Sequence, residues 1–326
     1  MTDIAWLESR PGIGARFTNA LLRATRAKTP LDVDNHQALI DARQKLDKLD
    51  TLMAKLRRKS SLPFTARESV LAGIPVMELT VRAPLAPATD GILLFIHGGG
   101  FFFRSLHSHM LLAARIAEQA GIRRVILPLY SLAPESLFPV ARDECRHAYG
   151  ALLASGIDPD RLAIAADSAG AALALGMLVK VRDEGLAMPR AVALLSPMLD
   201  LGYSGDAIVA NAAHDPMFGG QPMPPPTYYL GNTDPRSPEC SPLFADLSGL
   251  PALYVQVGST ERLLDDSLRL ADSRHSGNLP VAIEVWKEMP HVFQAYDFRE
   301  AAQARRHIAA FFRNMGFARP MATGRV

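Results

Sequence analysis

From residue 64 onward, short β-rich runs alternate with helical stretches, and that alternation leaves few architectures open. The runs are VMELTV (76–81), ILLFI (92–96), RVILPL (124–129), LAIAA (162–166), AVALL (191–195), ALYVQV (252–257) and VAIEVW (281–286). Helix candidates lie between them, among them SHMLLAARIAEQAG (108–121), AGAALALGMLVKVRDEG (169–185) and DDSLRLADSRH (265–275). Strand, helix, strand in repetition implies an α/β fold: a mostly parallel sheet with helices on both faces. Ligands then sit at the carboxyl ends of the strands.

Two regions depart from the rhythm. The first 60 residues read as helical. From Leu39, apolar residues recur at Leu39, Ala42, Leu46, Leu49, Met53 and Leu56, with charged residues between them. That spacing predicts an amphipathic helix with one buried stripe. A weaker helix is expected over ARFTNALLRAT (15–25). Residues near 200–240 are rich in Pro and Gly and read as an insertion lying over the sheet.

The chemistry concentrates in three places. In LAIAADSAGAALALG, a strand ends at Asp167 and Ser168, and a helix of small residues follows at once. A serine on so tight a turn is thrust above the sheet, the nucleophile elbow usually written G-x-S-x-G. Ala166 stands in place of its first glycine. The other reading of Ser168 is a helix N-cap. A serine hydroxyl needs a base, and the base an orienting acid; on such an elbow the acid and then the histidine follow in the chain. His291, in VWKEMPHVFQAY just after the last strand run, is the base candidate; His275 and His307 fall in amphipathic helices and His214 in the insertion. Glu261, three residues past Gly258, is the acid candidate, with Asp265 or Asp266 as alternatives. Asp167 adjoins the serine too closely to orient a histidine.

The third place is IHGGGF, after the run at 92–96. A tetrahedral oxyanion needs preorganised N–H donors, each worth about 3 kcal/mol of barrier. Bare glycine backbone supplies them, together with the N–H of the residue after the nucleophile, Ala169. A phosphate loop is the other use of such glycines, but no Gly-Lys-Ser/Thr follows and dinucleotide spacing is absent.

HGGGF (97–101), YSLAPE (130–135), ADSAG (166–170), SPMLDL (196–201), GSTERLLDD (258–266) and PHVF (290–293) stand in one order. By them the chain resembles the hormone-sensitive-lipase-like bacterial carboxylesterases of the α/β-hydrolase superfamily, over roughly residues 70–315. The resemblance implies an α/β-hydrolase fold, a mostly parallel sheet flanked by helices, with a helical cap. It implies Ser168 as nucleophile, Glu261 as acid and His291 as base. Gly99, Gly100 and Ala169 become the oxyanion donors, with His97 and Gly98 shaping the loop. Glu261 stands where most members carry Asp, and YSLAPESLFP lacks the usual His-Pro. The expected segments are an N-terminal helical cap piece (1–60), a catalytic α/β unit in two parts (61–199 and 241–326) and a cap insertion (200–240). Phe101, Phe102, Phe103, Met217, Phe218 and Tyr228 are candidates for the substrate pocket. The expected activity is hydrolysis of short-chain acyl esters through an acyl-enzyme. Rivals are a lactone or amide hydrolase using the same groups, and a binding homologue without catalysis, against which the retained His291 argues.

Composition bounds the partners. A formal charge of +2 gives no reason to expect nucleic acid. No apolar run approaches the roughly 20 residues of a membrane span, and Asp3 and Glu8 sit where a signal peptide would be basic, then apolar. Cys145 and Cys240, far apart and outside any motif, suit a reduced compartment, so a cytoplasmic location is expected. His107 and His109 lack acidic or cysteine partners nearby, so no metal is expected, and no cofactor. The partner is a small-molecule ester; a homodimer is implied by the resemblance alone.

Overall fold

A computed structural model describes residues 3–26, 31–56, 62–82, 89–272 and 279–317. His275 and most of the basic run at 55–60 lie outside them. The strands are β1 (Asp3–Leu7), β2 (Phe64–Leu71), β3 (Ile74–Val81), β4 (Thr89–Ile96), β5 (Ile122–Pro128), β6 (Leu162–Asp167), β7 (Ala191–Leu195), β8 (Leu253–Gly258) and β9 (Val281–Trp286). They form one nine-stranded sheet in the order β1-β9-β8-β7-β6-β4-β5-β3-β2. Only β3 is antiparallel to its neighbours β2 and β5; the other pairings are parallel.

The helices are α1 (Ile13–Thr25), α2 (His36–Leu56), α3 (Leu106–Ala120), α4 (Val140–Ala154), α5 (Ala169–Asp183), α6 (Ala207–Ala210), α7 (Thr227–Leu230), α8 (Leu264–Leu270) and α9 (Arg299–Phe312). Every residue of β6, β7 and β8 is buried, which is why these runs carry no polar alternation: helices cover both faces. Leu162, Ile164 and Ala166 face a core shared with α4 and α5, while Ala163 and Ala165 face the one shared with α3 and α9. Parallel β4, β6, β7, β8 and β9 end along one edge, so the loops carrying residues 97–103, 168, 196, 261 and 291 share it.

Three expectations change. The first residues are not all helical: Asp3–Leu7 extends the sheet as an edge strand parallel to β9. Five residues with one apolar face are too short for periodicity to register. Arg67 and Glu68 similarly concealed β2, a second edge strand whose polar face is solvated.

The stripe of α2 is not buried along its length. Leu39 is buried, but Leu49, Met53 and Leu56 are 50% or more exposed. Polar ties attach this helix instead. The buried Asp50 carboxylate accepts the N–H groups of His107 (2.8 Å) and Ser108 (3.2 Å) and the Ser108 hydroxyl (2.6 Å), capping the start of α3. Arg43 donates to the carbonyls of Phe102 and Ala133 and pairs with both oxygens of Glu135. Hydrophobic period alone could not choose which face meets the body.

Candidate active site

Strand β6 ends in the buried Asp167, and Ser168 follows with φ 51° and ψ −124° before α5 begins at Ala169. A non-glycine residue at positive φ is strained; here it lifts the hydroxyl above the sheet edge. The turn is tight because α5 presses on the end of β4. A Cβ on Gly170 would collide with the Ile96 and His97 carbonyls.

His291, from the loop after β9, places Nε2 2.9 Å from Ser168 Oγ and Nδ1 2.7 Å from Glu261 Oε2. All three residues are buried. The second Glu261 oxygen accepts the Gly258 N–H (2.6 Å) and the Ser196 hydroxyl (2.7 Å), so the carboxylate cannot rotate freely. Ser196 in turn accepts the Val292 N–H at 3.0 Å, bracing the histidine loop. Burial alone would lower the pKa of His291. The hydrogen bond and charge of Glu261, helped by Asp215 and Asp167, outweigh it and hold the imidazole above its usual value.

The alternative acids face elsewhere. Asp266 accepts the N–H groups of Leu199 and Asp200, and burial pushes its carboxyl up to about 7. Asp265 accepts the Ala207 N–H at 2.8 Å. Both anchor the start of the insertion.

The glycine loop crosses in front of the serine. Gly99 has φ 112°, and a Cβ there would strike the Phe103 carbonyl oxygen, so the path is open only to glycine. No acceptor among the described residues takes the N–H of Gly99 or Gly100. The N–H of Ala169, first residue of α5, has no intrahelical acceptor. Asp167 fixes the loop's entry by accepting the Gly98 N–H at 3.0 Å. His97 packs behind, its ring stacked between Tyr130 (4.2 Å) and His109 (5.2 Å). Burial, with His109 and Arg104 nearby, holds its pKa well below the usual value, so it stays neutral.

A cavity of about 580 Å³ opens over Ser168 and His291. Phe102, Phe103, Met217, Phe218 and Tyr228 line it, as do Met53 of α2, Met198, Tyr203, Met223 and Tyr296. Phe101 does not: its ring is buried and stacked on Tyr229 at 3.9 Å. With φ 64° it turns opposite to Phe102, which no composition rule reveals.

The insertion is pinned beside the acid. Buried Asp215 accepts the N–H groups of Met217, Phe218 and Arg262, and Arg262 donates to the carbonyls of Ile208, Gly219 and Gln221. Asn211 donates to the carbonyls of Ser259 and Glu261. Sequence reading missed Ser196, Asn211, Asp215 and Arg262. Ser196 and Arg262 stood in recognised motifs, SPMLDL and GSTERLLDD, whereas Asn211 and Asp215 stood in none.

Comparisons with known proteins identify the family and the fold. Residues 93–295 match a family described as having the alpha/beta hydrolase fold. The chain is 34% identical over 299 residues to an esterase of Acinetobacter venetianus, covering 90% of this chain and 94% of that one. It is 40% identical over 224 residues to an ethyl acetate hydrolase of Pseudomonas putida, covering 64% and 67%. The crystal structure of an esterase from the bacterial hormone-sensitive lipase family superposes with a TM-score of 0.79 at 31% identity, over 94% of this chain and 99% of that one.

Proposed function

Because this chain belongs to the hormone-sensitive-lipase-like branch of the α/β-hydrolase fold family and is a carboxylic ester hydrolase, we propose that Ser168, His291 and Glu261 perform the reaction as a triad. One observation carries the reading: an unbroken hydrogen-bonded chain of 2.9 and 2.7 Å at the floor of a cavity lined by backbone N–H groups.

Ser168 Oγ attacks the ester carbonyl as His291 Nε2 accepts its proton. Glu261 holds the Nδ1–H tautomer and stabilises the imidazolium. The oxyanion is received by the N–H groups of Gly99, Gly100 and Ala169, which stabilise the charge as it develops. His291 returns the proton to the departing alcohol. Water then attacks the acyl-enzyme with the same base, regenerating Ser168. Glu261, one methylene longer than Asp, reaches Nδ1 while both its oxygens stay partnered.

Short acyl esters are the proposed substrates. Acyl and alcohol groups must share about 580 Å³, within the ordinary range for small-ligand sites. Relatives named acetyl-hydrolase and ethyl acetate hydrolase point the same way. The roof of that cavity is assigned to a cap made of α2 and the 200–240 insertion.

The test is a series of aromatic esters of increasing acyl length, with Ser168→Ala as control. Wild type should prefer the short end, and Ser168→Ala should lose at least about ten-thousandfold in kcat. Equal rates for the two would sink the triad. Faster turnover of a matched lactone or anilide would reassign the substrate and leave the triad standing.

A further inference from the structure

Helix α1 is apolar on two opposite faces. Ala15, Asn19 and half-buried Leu22 face the body. At 100° per residue, Ile13, Phe17, Ala20, Leu21 and Ala24 form a stripe on the far side. Ile13 is 82% exposed, Phe17 69% and Leu21 51%. A helix anchored by one face has no use for large apolar residues on the other unless something covers them. Charge indicates what. Residues 9–31 contain no Asp or Glu, whereas Arg10, Arg16, Arg23 and Arg26 fall within them. Arg16 and Arg23 share one flank of the stripe. Among the described residues, Arg23 and Arg26 donate to the carbonyls of His214 and Asp215 and form no ion pair.

We propose that this face of α1 docks on an anionic lipid–water interface, the apolar stripe entering the acyl boundary and the arginines meeting lipid phosphates. The same arginines reach the loop 214–219, whose Met217 and Phe218 wall the cavity and are held by Asp215. A docked α1 therefore sets the cavity's insertion wall close to the surface, where amphiphilic esters partition. The inference goes beyond ester hydrolysis, because docking is read without turnover.

The experiment is cosedimentation of the full chain with vesicles of phosphatidylcholine alone, and of phosphatidylcholine mixed equally with phosphatidylglycerol. Wild type should partition onto the mixed vesicles, and salt should weaken it. Ile13→Ser/Phe17→Ser/Leu21→Ser should lower partition at least tenfold or so. Arg16→Gln should cost about fivefold at low salt and weaken the preference for phosphatidylglycerol. Ile13, Phe17, Leu21 and Arg16 project into solvent, so hydrolysis of a soluble acetate ester should stay at the wild-type rate in both variants. Phe17→Ser alone repeats the test should the triple variant lose that activity. Wild type that ignores mixed vesicles at low salt overturns the proposal, as does an apolar variant that binds them equally well. A wild-type dimer that becomes monomeric in the apolar variant, without vesicle binding by either, assigns the face to a second copy and also overturns it.

Discussion

The floor and the roof of the cavity are built on different principles. On the floor, Ser168, Glu261 and His291 are buried, and both Glu261 oxygens and both His291 nitrogens have partners. Each sits where a strand of one sheet ends, so its position is determined several times over. Over the cavity lie α2, held by polar ties from Arg43 and Asp50, and the insertion, pinned by Asp215 and Arg262 and seated in the main core through Leu201, Ile208, Tyr229 and Leu230. Met53, which lines the cavity from α2, is half exposed. In the proposed reading the floor fixes the reaction, and α2, whose Met53 is half exposed, leaves room to alter what fits above it. Mutations should therefore separate: floor changes act on kcat, roof changes on selectivity.

The largest effect is expected from Glu261→Gln. The amide cannot stabilise the imidazolium, and kcat should fall about a thousandfold to ten-thousandfold. The pH profile carries a second readout. In the proposed triad neutral His291 is the base, so activity should rise with pH through its pKa, and that acid limb should lie above the ordinary histidine value because Glu261 outweighs burial. Removing the carboxylate leaves burial in command, and the limb should shift to lower pH. A limb that stays in place would detach Glu261 from His291.

Gly99→Ala comes next. Its Cβ meets the Phe103 carbonyl, and φ 112° is hostile to alanine, so the loop must move. Displacing one oxyanion donor should lower kcat about a hundredfold to a thousandfold with KM little changed. A large rise in KM at constant kcat would show that the loop serves binding instead.

The smallest effect belongs to the roof. Met223→Ala enlarges the cavity at a residue outside both the proposed triad and the glycine loop. The preferred acyl chain should lengthen, with relative kcat/KM changing by at most about tenfold per methylene, while kcat on an acetate ester holds. A collapse of kcat on acetate would erase the distinction between floor and roof.

Chain order and local turn chemistry made the floor legible before any coordinates. An apolar strand that runs into Ser168 and a helix of small residues is a local signature. Glu261 and His291 each follow a readable strand, and the Gly98–Gly100 run announces bare backbone. The choice of Glu261 over Asp266 was another matter. Both lie on the same loop and helix start, and only folding aims one at His291 and the other at Leu199 and Asp200.

The roof was less legible because its ties are long-range. Arg262 meets Asp215 across 47 residues, and Arg43 meets Glu135 across 92. Neither separation leaves a periodic trace. The α2 spacing identified an amphipathic helix correctly, yet hydrophobic period reports that a stripe exists, not what lies opposite it. The same limit hid the exposed stripe of α1, since a face that meets the body and a face that meets solvent have the same period.

The sequence by itself determined the fold class, the sheet edge that the loops share and the residues proposed to act there, because strand runs, tight turns and bare glycines act over a few residues. Tertiary structure alone decided which carboxylate reaches the histidine, which phenylalanine leaves the cavity and which helix face stays open. Those outcomes depend on contacts between distant segments, whose free energies belong to pairs of surfaces and are written in neither segment alone.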